Sequence, residues 1–147
     1  MPVRTTHART TSTPQRWRRL PPTAQALLVA FALHPAPLPG AWLPKLAPED
    51  ASVDTLAAAG WIVEEEDGRW ALRDDALRAA VVRLARWSVR QAQHRALAQL
   101  CRAKAGCASW AARHWQSAGD EPAACAAWIH SAIEQAAADG ARAAECL

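Results

Sequence analysis

The sequence predicts a mainly α-helical fold that contains one short β-hairpin. Three observations lead there. Apolar residues make up 51 % of the 147, with alanine prominent among them, and alanine is the strongest helix former. Most of the 10 prolines lie before residue 49, which leaves the rest of the chain free to be helical. One Asp-Gly pair, Asp67-Gly68, separates two strand-like runs, Trp61 to Glu65 and Arg69 to Leu72. Both turn positions tolerate positive φ, which favours a tight hairpin.

Pro21 and Pro22 open the folded part. A helix is expected over 23–33, with Ala24, Leu27, Leu28 and Phe31 on one stripe. Pro35, Pro37, Pro39 and Gly40 stop it. A short second helix over 41–46 is weakened by Pro44. A third helix runs from a cap at Asp50 to Ala59, burying Val53, Leu56 and Ala57, and Gly60 stops it. Three helices followed by a hairpin is the order of a winged helix. After the hairpin a long helix starts at Asp74-Asp75, acids suited to a helix N-terminus. Leu77, Val81, Leu84 and Ser88 form its inner side, and Arg83, Arg86 and Arg90 a solvated basic side. A further helix spans 91–105, with Leu97, Leu100 and Cys101 inward, and ends at Gly106.

The last forty or so residues have another texture. Ala108, Ala111, Ala112 and Trp115 follow the small-small-aromatic spacing of a tetratricopeptide first helix. Gly119 marks the turn, and Ala124 and Trp128 take the matching places in a second helix. Gly140 is expected to break the chain, with 141–147 starting another repeat. The predicted organisation is a disordered basic tail over 1–19, a winged-helix-like domain over 20–90, and a helical linker with an incomplete repeat over 91–147.

Charge is uneven. Arg4, Arg9, Arg16, Arg18, Arg19 and Lys45 precede residue 49 without a single acid, and the other 11 of the 17 basic residues share the remainder with all 14 acids. The Thr- and Arg-rich tail has too little apolar surface to offset its own ordering entropy. It lacks the apolar core of a secretory signal, while its Arg-rich, acid-free start can also mimic an organelle transit peptide. The Ala/Arg-rich, Lys-poor style points to a bacterial source. No run approaches the ~18 apolar residues of a membrane span. A cytoplasmic protein without membrane contact is expected.

Several chemistries lack their residues. The six glycines, Gly40, Gly60, Gly68, Gly106, Gly119 and Gly140, are isolated, so no phosphate-cradling loop forms. There is no G-x-S-x-G. Cys101, Cys107, Cys125 and Cys146 contain no C-x-x-C, and the histidines complete no zinc spacing, so no metal, no cofactor and no catalytic residue is expected. The cysteines read as reduced thiols. His94, His114 and His130 fall on predicted helices as packing or surface residues. Glu64, Glu65, Glu66 and Asp67 form a solvated acidic wing.

A winged helix is often a DNA reader, yet here the groove-entering helix carries Glu49, Asp50 and Asp54 and no basic residue, and the wing is acidic. Both would repel phosphate, which argues against specific DNA binding. The alternative nucleic-acid contact is the tail together with Arg83, Arg86 and Arg90. Of the eight tryptophans most are expected in the core, because with no Tyr and one Phe they supply nearly all aromatic packing. Trp110 lies off the repeat stripe and is the expected exposed contact. With Arg113 and Trp128 it makes the candidate protein-interaction surface.

Five stretches in order, 20–28, 56–64, 68–78, 94–100 and 112–120, together resemble the region after the nucleotide-binding core in bacterial STAND-type signalling ATPases of the MalT-like and LuxR-type kind. The resemblance covers 20–147. It implies a winged helix, a helical linker and tetratricopeptide-like repeats, and a regulatory role in signalling or transcription through protein–protein contacts. It also implies a protein partner, with a P-loop ATPase as the first candidate. The family often opens its long helix with a His-Asp pair whose His reaches the nucleotide phosphate. Here Asp75 matches the acid and Asp74 stands at the His position, so this sensor position is degenerate and Asp74 reads as a helix cap. The ATPase core has no counterpart in the chain and the repeat array is short. A stand-alone module and a non-functional piece of a larger regulator are both open. The expectation is a non-catalytic interaction module.

Overall fold

A computed structural model of the protein describes residues 12–47 and 53–145. In chain order these form α1 (Thr13–Arg18), α2 (Pro22–Leu33), β1 (Leu38–Pro39), a 3-10 turn (Gly40–Trp42), α3 (Leu43–Leu46) and α4 (Val53–Ala58). The hairpin strands β2 (Ile62–Glu64) and β3 (Arg69–Leu72) follow. The chain then runs through α5 (Asp75–Leu84), α6 (Trp87–Arg102), α7 (Ala108–Ser117) and α8 (Glu121–Glu145). The fold is mainly helical, with one small antiparallel sheet of order β1-β3-β2.

The central element is α2. Leu27, Leu28, Val29, Ala30, Phe31 and Ala32 are all buried, so it is covered on every side rather than along one stripe. It packs on α3, α5, α6 and β3. Trp61, Ile62, Leu38, Leu56, Val81 and Leu97 complete the core around it. Leucine-sized side chains contribute about 1.5–3 kcal/mol each when fully buried, so this cluster supplies the main driving force. Pro44 is tolerated in α3 because it stands in the first turn, where no helical N–H is needed.

The hairpin pairs Ile62 with Leu72 and Glu64 with Trp70. Glu65 N donates to Arg69 O at 2.7 Å, and Gly68 takes φ 73° in the connection. A third strand was not foreseen: Leu38 and Pro39 lie opposite Trp70 and Arg69. Pro39 is compatible with that place because β1 is an edge strand. At the end of α4, Trp61 N bonds to Leu56 O and Gly60 N to Ala57 O, with Gly60 at φ 74°. The same pair of bonds recurs at Gly119 after α7. This left-handed helix stop needs glycine.

Four expectations are corrected. The tail assigned to 1–19 as disordered contains α1. Ser12 and Gln15 cap it reciprocally, and Trp17, 7 % exposed, anchors it in the core. The Arg16 guanidinium lies 4.6 Å from the Trp61 ring and donates to Ala59 O. One large aromatic thus offsets the ordering of a short polar segment. The helix expected to run from Asp74 to about Arg90 breaks earlier. Ala85 and Arg86 are extended, and α6 runs unbroken through 90 and 91. No Gly or Pro marks the break; α5 packs on α1 and β3, whereas α6 packs on α3 and α7. The expected domain boundary therefore falls inside one helix. Gly140 does not interrupt α8, which continues to Glu145 instead of starting a new repeat. An isolated glycine costs only about 1 kcal/mol in a helix, and the alanines around it compensate. Trp110 is half-buried instead of exposed. The proposed cap Asp50 and its neighbour Glu49 lie outside the described residues. No described helix is long and apolar enough to cross a membrane.

Candidate functional site

Three helical elements bring four chemistry-bearing side chains together. His34 is the residue that ends α2. His94 and Cys101 are seven apart on α6, two turns along one face. His114 is on α7, which packs on α6. His34 Nδ1 lies 3.0 Å from His114 Nε2, and His114 Nδ1 lies 2.9 Å from His94 Nδ1. One donor atom from each of His34, Cys101 and His114 lies within 4.8 Å of the others. His34 is 5 % exposed, His114 4 % and Cys101 0 %.

The cluster is walled by aromatics and fixed by a cation. Trp110 lies 4.5 Å from the His34 ring, and Trp42 meets that ring edge-on at 5.8 Å. Arg78 Nη1 reaches three carbonyls at the end of α2, Phe31 O at 3.1 Å, Ala32 O at 2.9 Å and His34 O at 2.8 Å. These are orphan acceptors of a helix C-terminus, where a positive charge is also favoured. The backbone that carries His34 is thereby held in place. A shallow pocket of ≈ 170 Å³ leads to the cluster between Leu33, Pro35, His94, Trp110, Arg113 and His114.

Burial decides the protonation states. It pushes His34 down to about 4, helped by the charges of Arg78 and Lys104. It pushes His114 down to about 3, with further lowering from His34 and His94. His94 is lowered by burial and then by Arg90. All three rings are therefore neutral at physiological pH. A neutral His114 carries one N–H, so it donates to one neighbour and accepts from the other, and the rings form a directed chain. Burial raises Cys101 to about 12, with Cys107 adding to it. Such a thiol is no nucleophile, because the thiolate is the reactive form. Neutral imidazoles beside a thiol offer lone pairs to a metal ion.

A second feature lies on α8. Its inner side, with Ala124 buried, faces α7. Away from it Cys125, Trp128, Ile129, Ala132, Ile133 and Ala136 follow one stripe at spacings of three and four. Trp128 is 41 % exposed, Ile129 59 % and Ile133 62 %.

The residues singled out from the sequence are placed differently. Trp110 and Arg113 share the pocket beside His94 and His114, whereas Trp128 belongs to the α8 stripe. Asp74 is the N-cap of α5, its Oδ1 accepting from Leu77 N at 2.8 Å, and that bond holds its carboxyl below the usual range. Asp75 is fully exposed and pairs with Arg78 at 3.8 Å. Arg83 is on α5, Arg90 on α6 and Arg86 between them, so they do not form the single helical face expected. Among the wing acids, Asp67 pairs with Arg69. The histidine cluster escaped the sequence because its members come from distant segments. The spacing of His94 and Cys101 was its single local sign. No protein-family model matches this chain, and no curated protein or solved structure matches it either.

Proposed function

We propose that this chain is a non-catalytic interaction module of a regulatory assembly, working through the outer face of α8. The observation that carries this is the uncovered apolar stripe. In α6, α7 and α8 each helix packs on the next, yet one side of α8 exposes Trp128, Ile129 and Ile133 in a row. Contiguous exposed apolar surface of this kind marks an association site.

The occupant is a second copy of α8. The stripe positions are symmetric about a point between His130 and Ser131. A two-fold axis there lays Trp128 over Ile133, Ile129 over Ala132 and Cys125 over Ala136. This is an isologous contact in which one patch serves both partners. The small residues allow close approach of the two backbones. Three helical turns bury less than the ~1,600 Å² of a standard interface, so pairing is looked for up to high micromolar concentration.

The wider reading as a winged helix followed by tetratricopeptide-like helices belongs to this proposal. It is supported by the order α2, β1, α3, α4, β2, β3 and by the packed series α6, α7, α8. Nucleotide sensing is left out of it, because Asp74 is engaged as a helix cap. A cytoplasmic setting suits the free thiols of Cys101, Cys107 and Cys125.

Light scattering on the full chain from about 1 to about 300 μM tests the proposal over the range where small interfaces assemble. The mass should rise toward two chains. The Ile129→Asp/Ile133→Asp variant should stay at one chain with an unchanged melting temperature. A single-chain mass throughout, or a variant that still pairs, would overturn it.

A further inference from the structure

We propose that His34, Cys101 and His114 form a three-ligand site for a soft monovalent ion, Cu(I), with His94 as the outer partner that orients His114. The site is independent of the α8 stripe.

Geometry supports it first. Metal bonds to imidazole nitrogen and thiolate sulfur are about 2.0–2.3 Å. Three such ligands around a trigonal ion then stand about 3.5–3.8 Å apart. The 3.0 Å separation of His34 and His114 and the 4.8 Å upper spacing of the three donor atoms bracket that distance. Shifts of about an ångström suffice, within ordinary side-chain adjustment. The remaining nitrogen of His114 meets His94 at 2.9 Å. Metal-binding histidines regularly use their second nitrogen in this way, which fixes ring orientation and tautomer.

Chemistry then selects the ion. Thiolate favours Cu(I) and Zn(II), and imidazole accepts both. Zinc takes four protein ligands in structural sites and three plus a water in catalytic ones, so the three ligands of this group leave the choice of ion to charge. Binding breaks the S–H bond of Cys101, the proton leaves to solvent, and a thiolate–metal bond forms without any redox change. With Cu(I) the complex of two neutral imidazoles and one thiolate is neutral; with Zn(II) it carries one positive charge. Among the described residues, the charges acting on His34 are those of Arg78 and Lys104, both cations. A surplus positive charge buried beside them is costly, and a neutral complex avoids it. The pocket past Trp110 and Arg113 opens onto His114, one of the three ligands.

The location gives the site a consequence. It ties the end of α2 to α6 and α7, so a bound ion links the sheet-bearing half to the helical half. Binding to the folded state alone raises its stability by mass action.

The test uses the full chain, stripped of metal and titrated anaerobically with Cu(I) delivered from a bicinchoninate complex. One equivalent should bind, with ultraviolet absorption of a copper–thiolate bond, a change in tryptophan fluorescence from Trp110 and a higher melting temperature. The Cys107→Ser/Cys125→Ser/Cys146→Ser variant should keep the site, and Cys101→Ser should lose the absorption band. His94→Gln should keep the stoichiometry and weaken affinity about 10–100-fold, the usual effect of an outer-shell partner. Wild-type stoichiometry and absorption are read without any variant, so a misfolded mutant cannot decide the outcome. Cu(I) bound no better than by the urea-unfolded chain, loss of the band in a triple variant that keeps the wild-type melting temperature, or preferential uptake of Zn(II) would each overturn the assignment.

Discussion

Lowering the pH from neutral to about 5 should destabilise the metal-free protein steeply, and the buried histidines set the slope. In the folded chain His34 titrates at about 4 and His114 at about 3, against 6.5 for a solvated imidazole. The folded values are depressed, so the unfolded chain binds more protons. Stability is therefore full above about pH 6.5 and is lost as pH falls toward the folded values. Each group contributes at most about 1.4 kcal/mol per pH unit inside that window. Between pH 7 and about pH 5 the loss is about 1.8 kcal/mol per ring, or about 3–4 kcal/mol for the two. That is a large part of the ~5–15 kcal/mol typical of a domain. The window separates these groups from the depressed carboxylates. Asp67 and Asp74 are held below the usual carboxylate range and titrate at lower pH.

Urea titrations at neutral pH, about 6 and about 5, with a chelator present, measure this directly as a falling midpoint at constant m-value. The His34→Gln/His114→Gln variant should start from a lower plateau and show a much flatter slope. A wild-type midpoint that stays constant between pH 7 and about pH 5 would refute the reasoning, because neutral rings at 4 and 5 % exposure could not then be present.

Two further perturbations follow from single residues. Arg78→Met removes a nitrogen that serves three carbonyls with two hydrogens. Two charge-assisted bonds at about 1.5–3 kcal/mol each, reduced for the 31 % exposure of the side chain, predict a loss of about 2–4 kcal/mol in chemical denaturation. Arg83→Ala, on the exposed side of α5, should stay within about 0.5 kcal/mol as its control. Gly140→Ala should stabilise α8 by about 0.5–1 kcal/mol, because Gly140 is helical with open space around its Cα. Slower amide exchange across its last turns checks this, and unchanged exchange would mean that the helix ends before Gly140.

Local chemistry made part of the fold legible. The prolines and the apolar stripe located α2 to within a residue, because breakers and periodicity act within a few positions. Asp67-Gly68 located the hairpin, and Gly60 and Gly119 the helix stops, because these turns depend on conformations that few residues adopt. What escaped depends on partners far away in sequence. β1 is two residues long and exists only through β3. α1 persists because Trp17 finds the core. The α5–α6 break carries no Gly or Pro, so no local signal marks it. The site was less legible for the same reason. Its members span 80 residues, from His34 to His114, and each alone looks like a packing residue.

That distance also says what the cluster does for the architecture. The sequence suggests two units joined near residue 90, yet α6 crosses that point and packs on α2 on one side and α7 on the other. His94 and Cys101 ride on the same helix, His34 stands at the end of α2, and His114 is on α7. The polar cluster therefore sits at the seam, where a larger apolar side chain would otherwise be expected. A fully apolar seam would have fixed the two halves irrespective of conditions. Neutral imidazoles and a thiol hold the seam closed by burial, and they leave its strength responsive to protons and to a soft ion. The α8 stripe lies beyond that seam, one helix out from His114. α7 thus packs on both α6, which carries His94 and Cys101, and α8, which carries the stripe proposed above for association.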